Sequence, residues 1–480
     1  MKYKLIIIFL ALSTFSRLAY SQEHKVDWSL AVNHSNEEKL TKIIPLENNG
    51  VVVVLKKDKS TVRIDYYNSD KTFLETRYVV AKGKILKVNR VGASLYIFYS
   101  IYDSQHKLNK LFAKEITKET PKDILLEESL LLKNYHNNFK ISVSPNYKKV
   151  FVLTEKPFKE RAKEGIVLSV FDELLKKERT KFYLMSKIDS KKRKVNVPLV
   201  NNKGEVYIIK RDKGKSKSNY YIMTYTKIGK VNFSEFKLNY KPILDLRYSL
   251  DNKENLILGG TFSSPNSRKS EGVFIAKYNA TCSQIYRNEY GFRLETMLEF
   301  TSKKEIKKEG LGLSNFRTKK VIIQKEGLAL ILEHREEVSN SKSTIKTEKR
   351  DGVIIYSFSF TGDYNWDKAL RFNQKDETEK GYWNSFICFN DTARNQLSIA
   401  YNEVGFDKKK ETDFGVNTII GTKHIAISKQ GNVKVRAVTN LFKKTSLALV
   451  LSPKVYSDEK RLFIISEPLD KSSYLLGEVE

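Results

Sequence analysis

Residues 328 to 370 decide the fold: Leu328-Ala329-Leu330-Ile331-Leu332, then Gly352-Val353-Ile354-Ile355-Tyr356-Ser357-Phe358, then Tyr364-Asn365-Trp366-Asp367-Lys368-Ala369-Leu370. The first run is too short for a helix and apolar without interruption, as a strand buried on both faces must be. The second follows a glycine and is rich in β-branched and aromatic residues. The third mixes polar and apolar positions, as a strand with one wet face does. The segment therefore predicts a buried strand, a strand after Gly, and a polar strand.

The same succession recurs along the chain. Buried-type runs include Val51-Val52-Val53-Val54-Leu55, Leu95-Tyr96-Ile97-Phe98-Tyr99, Val150-Phe151-Val152-Leu153, Val206-Tyr207-Ile208-Ile209, Leu256-Ile257-Leu258, Leu397-Ser398-Ile399-Ala400-Tyr401 and Leu462-Phe463-Ile464-Ile465. Strands after Gly recur at Gly165-Ile166-Val167-Leu168 and Gly272-Val273-Phe274-Ile275. With the run at Leu328, the starts are spaced by roughly 44 to 72 residues, a period that belongs to stacked repeats and propellers. An entry strand, the buried run, the post-Gly strand and a polar strand make four per unit, which is what a propeller blade needs. The expected fold is thus all-β: a β-propeller of eight four-stranded blades, with seven as the alternative.

The two chain ends predict how the ring closes. After the eighth buried run only Tyr474-Leu475-Leu476-Gly477-Glu478-Val479 remains, so the last unit lacks its fourth strand. Val26-Asp27-Trp28-Ser29-Leu30-Ala31-Val32 precedes the first unit and is patterned like the strand at Tyr364. Pairing of this N-terminal strand in the C-terminal blade would remove an exposed edge.

Composition narrows the class. The 480 residues are 40% hydrophobic and 30% charged, enough apolar content for a real core and too much for a disordered chain. Two cysteines, Cys282 and Cys388, cannot make a disulfide scaffold; both fall in strand-like contexts in different blades and read as small buried apolar residues. The formal charge is +30, from 86 basic and 56 acidic residues. Of the basic residues 67 are Lys and 19 Arg. Lys, Asn, Ile and Tyr share A/T-rich codons, so composition alone accounts for much of the excess. Nucleic-acid proteins concentrate charge and favour Arg, whereas this Lys is dispersed, and no nucleic-acid partner is expected.

Residues 1–21 read as a cleavable signal peptide. Lys2 and Lys4 precede the apolar run Leu5 to Leu12, and Ala19-Tyr20-Ser21 is a small-x-small site before Gln22. The apolar run is too short to span a bilayer. Cleavage after Ser21 would leave a secreted or periplasmic protein of charge about +27, organised as a single propeller domain over residues 22–480. A polar insertion is expected near 293–320, with a short helix around Lys303-Lys304-Glu305-Ile306-Lys307-Lys308, and a long hairpin loop at 335–350.

At Leu256-Ile257-Leu258-Gly259-Gly260-Thr261-Phe262, followed by Gly272 to Asn279, the chain resembles the blade repeats of exported bacterial propellers. Ser144-Pro145-Asn146 is similar to the Ser-Pro-Asp-Gly blade turn of those families, with Asn-Tyr standing where Asp-Gly is frequent. Asp351-Gly352 to Gln374, Tyr401-Asn402-Glu403 and Pro453-Lys454 look like large secreted proteins of Bacteroidetes-type bacteria. The resemblance implies a propeller and an envelope or secreted location; it attaches no activity.

A search for chemistry yields no catalytic, cofactor-binding or metal-binding residue. The histidines His24, His34, His106, His136, His334 and His424 lack the close spacing of a zinc site. Glu333-His334 is the least bland of them and reads as a polar pair at a loop entry. Asp251-Asn252-Lys253-Glu254-Asn255 has Lys at a ligand position of a calcium loop and no Gly, so it reads as a turn. Gly310-Leu311-Gly312-Leu313-Ser314-Asn315 lacks the Gly and Lys of a phosphate loop. The basic runs Lys191-Lys192-Arg193-Lys194 and Lys408-Lys409-Lys410 fall between strands; gathered on one face with Lys303 to Lys308 they would make a surface for an acidic glycan.

The reading is an exported, non-enzymatic binding or scaffolding propeller at the bacterial envelope, monomeric, without cofactor. Its partner is an envelope or secreted protein or a polyanionic glycan. The alternative is a hydrolase or lyase acting on polysaccharide or peptide at the channel mouth, which convergent carboxylates would mark.

Overall fold

The computed structural model describes residues 26–33, 35, 37–116, 122–130, 139–156, 163–189, 193–195, 197–213, 218–265, 267, 269–339, 346–376, 386–391, 394–405, 418–437, 450–457, 462–467 and 473–479. Residues 1–21, His24, His34, His136, Lys191, Lys192 and Lys408 to Lys410 lie outside them.

The described strands form eight antiparallel sheets, each built from neighbours in sequence. The first runs from Lys39–Pro45 through Val51–Lys56 and Thr61–Tyr67 to Phe73–Val80. The next six begin at Lys84–Val91, Phe139–Val143, Arg193–Val195 with Leu199–Val200, Ile243–Leu250, Phe316–Ile323 and Phe386–Asp391. The last contains Val450–Ser457, Leu462–Glu467 and Ser473–Val479, and Val26–Trp28 lies beside it with Val26 opposite Val479 and Trp28 opposite Gly477.

Both faces of the second strands are apolar and buried, as at Val51 to Leu55 and Leu328 to Leu332. A sheet of that kind must be covered on each side. The core clusters do this by joining consecutive sheets. Val52 and Ile64 pack with Ile97 and Tyr99, Phe151 and Leu168 with Ile208 and Met223, and Val53 and Tyr67 with Tyr474 and Leu476. The first strand of each sheet lies near the next sheet, and Lys39–Pro45 lies against Val450–Ser457. The chain is thus an all-β propeller of four-stranded antiparallel blades, with the first strands innermost.

Where the first and last sheets meet, a buried polar network runs beside the apolar packing. The Tyr67 hydroxyl donates to the Tyr474 oxygen (2.9 Å), and the Tyr474 hydroxyl donates to Asp65 Oδ2 (2.6 Å). Asp65 Oδ1 accepts from Arg63 Nε (2.9 Å) and Thr76 Oγ1 (2.6 Å), while Arg63 Nη1 bonds Glu38 Oε2 (3.0 Å). Burial pushes the Tyr67 phenol far up, the bond to Tyr474 offsetting little of it, so it stays a neutral donor.

Strand direction gives the propeller two different ends. The turns from first to second and from third to fourth strand emerge at one end, here the exit face. The connections from second to third strand, and from one sheet to the next, emerge at the other, the entry face. The exit face reuses one tight turn: a capping Asn, Asp, Ser or Thr, with the residue three later left-handed. Examples are Ser144 with Tyr147 (φ 63°), Asn201 with Gly204 (φ 79°), Asp251 with Glu254 (φ 66°) and Ser359 with Gly362 (φ 89°). In the turn at Asp251, Oδ1 accepts from the amides of Lys253 (2.9 Å) and Asn255 (2.8 Å), which explains why that acidic stretch is a turn.

Three expectations need correction. The connection expected to reach residue 320 ends at Asn315, because Phe316–Ile323 is an innermost strand; its helices are Leu294–Leu298 and Lys303–Glu309, the second closed by a Ser302/Glu305 capping box. Part of the loop expected at 335–350 is paired strand, with Glu336–Ser339 opposite Lys346 to Lys349. Cys282 sits in an exit-face turn at φ 64° and not in a strand. The buried hydroxyl network makes a quantitative demand: Tyr474→Phe is expected to cost ~1–2 kcal/mol and Asp65→Ala about 3 kcal/mol, since the latter strips the buried Arg63 of a partner. Denaturant titration measures both, and a loss below about 0.5 kcal/mol for Asp65→Ala contradicts the role given to the network.

Candidate functional site

Loops that repeat one tight turn leave little room for recognition, whereas long, varied connections supply it. The entry face carries the longer described connections 263–271 and 292–315, together with the segment 237–242. Charge follows the same division. Summed over the described residues between strands, the entry-face connections carry about +6 and the exit-face turns about +3. The described connections are therefore somewhat more basic at the entry end. Arg193 and Lys194 open an innermost strand there, and the helix Lys303–Glu309 precedes another.

The fourth, fifth and sixth sheets frame a cleft of about 490 Å³ on this side, lined by Arg211, Tyr220, Asp245, Arg247, Asn315 and Arg317. Arg211 lies on a second strand, over the ring of Tyr220 at 5.9 Å from its centroid. Arg247 and Arg317 come from innermost strands and are exposed. Arg247 Nη1 is 3.0 Å from Asp245 Oδ1, whereas Arg317 has no ion pair among the described residues. Three guanidinium groups against one lining carboxylate make the cleft an acceptor of anions. Burial pushes the Tyr220 phenol up, and the neighbouring Arg211 only partly offsets this, so Tyr220 stays a neutral phenol.

A second cleft, of about 530 Å³, adjoins the connection 237–242 and is lined by Asn219, Lys237, Asn239, Tyr240, Lys241 and Arg287. Arg287 holds the connection in place through Nη1 to the Lys237 carbonyl (2.6 Å) and Nη2 to Asn239 Oδ1 (2.9 Å). Tyr240, at φ 56°, is 94% exposed. An aromatic ring so fully presented beside amides and cations is the combination that stacks on a sugar ring and bonds its hydroxyls.

The innermost strands themselves are basic at one level. The residue opposite the fourth position of each buried run is Lys42, Lys87, Lys140, Arg247 and Lys320 in the first, second, third, fifth and sixth sheets. Burial lowers Lys87 to about 8; it is half-buried, and its Nζ donates to the Ile141 carbonyl (2.9 Å). Burial and then the Lys87 charge lower Lys42 to about 8 as well, though its side chain reaches water, which screens that effect.

The other singled-out residues do not converge. His106 is exposed on a turn with Nδ1 2.9 Å from Asp103 Oδ2; His334 packs on Phe316 with ring centroids 5.2 Å apart; His424 is buried against Phe389. Glu333 accepts from Arg350 Nη1 (2.9 Å) and lies 3.3 Å from Lys319 Nζ, a structural ion pair. Cys282 and Cys388 are free and buried in different sheets; burial raises Cys282 to about 12. Among the described residues no group of three His, Cys, Asp or Glu is placed to hold a metal, and no helix is long and apolar enough to cross a membrane.

No family model matches the chain, and no curated protein matches it. Solved structures do resemble it. The WD40 domain of SCAP from fission yeast is 8% identical with a TM-score of 0.43, covering 95% of this chain and 94% of its own. The Nup133 β-propeller domain of Vanderwaltozyma polyspora is 8% identical with a TM-score of 0.40, covering 89% and 100%. The polysaccharide lyase Uly1 is 10% identical with a TM-score of 0.39, covering 84% and 91%. Likenesses this distant carry no activity to the present chain.

The shifted lysines set a pH test. Lys87 has a folded pKa below its unfolded value of about 10.5, so below pH ~8 both states hold the proton and the fold bears the full cost of the buried charge. Between pH ~8 and ~10.5 the unfolded state binds more protons, and this cost falls as pH rises. Lys87→Met is therefore expected to raise Tm most at pH 6 to 7, with the gain shrinking by pH 10. A gain that does not change with pH contradicts the assignment.

Proposed function

We propose that the protein is an exported, non-enzymatic binding propeller whose entry face recognises an acidic glycan. The single observation that carries the reading is the entry-face cleft lined by Arg211, Arg247 and Arg317. Planar guanidinium groups pair with carboxylate or sulfate esters two bonds at a time, and Tyr240 offers a sugar-stacking surface nearby. A protein partner with an acidic surface would use the same cations but has no need of an isolated exposed ring. The hydrolase or lyase reading is weaker: the cleft offers one carboxylate, already bonded to Arg247, where glycoside hydrolysis calls for two.

Binding of oligogalacturonate, measured calorimetrically in a salt series, tests this. Arg247→Ala with Arg317→Ala is expected to weaken it ~10- to 100-fold and to flatten its salt dependence. Lys148→Glu with Lys227→Glu on the exit face should leave affinity within about twofold. Equal losses from both faces, or no binding at low salt, would overturn the reading.

We also propose that the eight sheets are the eight blades of one closed ring in an exported chain. Support comes from the pairing of Val26–Trp28 with Ser473–Val479 and from the Tyr67, Tyr474 and Asp65 contacts, and from the signal-type pattern of residues 1–21. The exported chain is expected to begin at Gln22 by N-terminal sequencing. A version beginning at residue 34 should lose ~10 °C or more in Tm by baring a strand edge. A mature chain that still begins at Met1, or an unchanged Tm, speaks against export or closure respectively.

A further inference from the structure

We infer that the inner wall of the first and second blades holds a separate anion site, in which Lys42 and Lys87 with Asn89 take a compact oxyanion such as a sulfate or carboxylate group, and that Lys320 forms an equivalent position in the sixth blade. The register is the first reason. In these three innermost strands a β-bulge immediately precedes the lysine, between Leu40 and Lys42, Ile85 and Lys87, and Thr318 and Lys320. Bulges re-aim side chains, and here the same defect recurs at the same level with the same residue type after it.

The partners of these ammonium groups are the second reason. Lys42 Nζ bonds the side-chain oxygen of Asn89 on the neighbouring innermost strand. Lys87 Nζ bonds the Ile141 carbonyl of the next (2.9 Å), and Lys320 Nζ the Cys388 carbonyl of the seventh sheet (3.2 Å). Each of these acceptors is a neutral oxygen. No carboxylate pairs with any of the three among the described residues. Asn89 is itself 5% exposed, so the wall around the first pair is built and not a mobile surface.

Neighbouring charges do not supply the missing anion. On the strands around the pair the bases are Lys39, Lys56, Lys84, Arg90 and Lys140. The acids are Asp103, held by His106 and Lys110 (2.9 and 3.2 Å), and Glu155, near Lys140 (3.7 Å), with Glu47 of the adjoining turn near Arg90 (3.8 Å). Lys42 and Lys87 repel each other, as the lowering of Lys42 by Lys87 shows. Two adjacent cations bonded to neutral oxygens, Lys87 half-buried and Lys42 open to solvent, form a site whose charge an entering anion balances. A purely structural role, stapling one innermost strand to the next, would leave that charge unbalanced.

Sodium sulfate and sodium acetate, titrated at constant ionic strength into the full mature protein, test the site by calorimetry and thermal shift. Wild type is expected to show saturable sulfate binding with a rise in Tm. Lys42→Met and Lys87→Met should each weaken it at least tenfold while keeping or raising the anion-free Tm, which shows that they fold. The entry-face double variant, Arg247→Ala with Arg317→Ala, should retain it, so this site and the glycan reading stand or fall separately. Comparing sulfate with acetate, then sulfated with uronate oligosaccharides, identifies which anionic group is preferred. Absence of saturable binding in wild type overturns the proposal, as does an undiminished response in Lys42→Met with Lys87→Met or a response lost only in the arginine double variant.

Discussion

The double-sided burial of the second strands, wherever their side chains are described, is the constraint on which the rest depends. Val51 to Leu55, Val150 to Leu153 and Leu328 to Leu332 present no wet face. Each sheet therefore needs a neighbour on both sides, and a linear stack would leave two apolar faces bare at its ends. The contacts of Tyr67, Asp65 and Tyr474 lie where those two ends would be. Polar contacts suit that place: they fix one geometry between segments some four hundred residues apart, where apolar packing tolerates several.

Strand direction then divides labour between the two faces. The exit face spends its length on one capped, left-handed turn, which sets strand register and carries little charge. The entry face carries the helices, the clefts, Tyr240 and most of the described connection charge. The feature that sets the entry face apart is the convergence of arginines from three successive sheets in one cleft.

Much of this architecture is legible in the residues themselves. The buried runs at Val51, Leu95, Val150 and Leu328 announce their strands because β-branched and aromatic residues in short blocks have no helical alternative. The strand after Gly at Gly352 and the polar strand at Tyr364 are visible for the same reason. What escapes is anything set by register. The innermost strands are mixed in polarity, so Phe316–Ile323 is read as part of a polar insertion, and the bulges before Lys42, Lys87 and Lys320 leave no local mark. Arg211, Arg247 and Arg317 are isolated in the chain and meet only because consecutive blades bring their entry-side ends together. Cys282 is read as a strand residue since nothing but the recurring turn, with its capping Asn279, betrays a left-handed position. The hydroxyl network at the first and last sheets is invisible because Tyr67 and Tyr474 look like ordinary core aromatics.

The most direct test of the central claim, that the entry face is the recognition surface, is an experimental structure determined with an acidic oligosaccharide bound. The account predicts sugar carboxylates against Arg211, Arg247 and Arg317, with a ring stacked on or near Tyr240. Ligand seated on the exit-face turns, or an entry face left empty at saturating ligand, would contradict it.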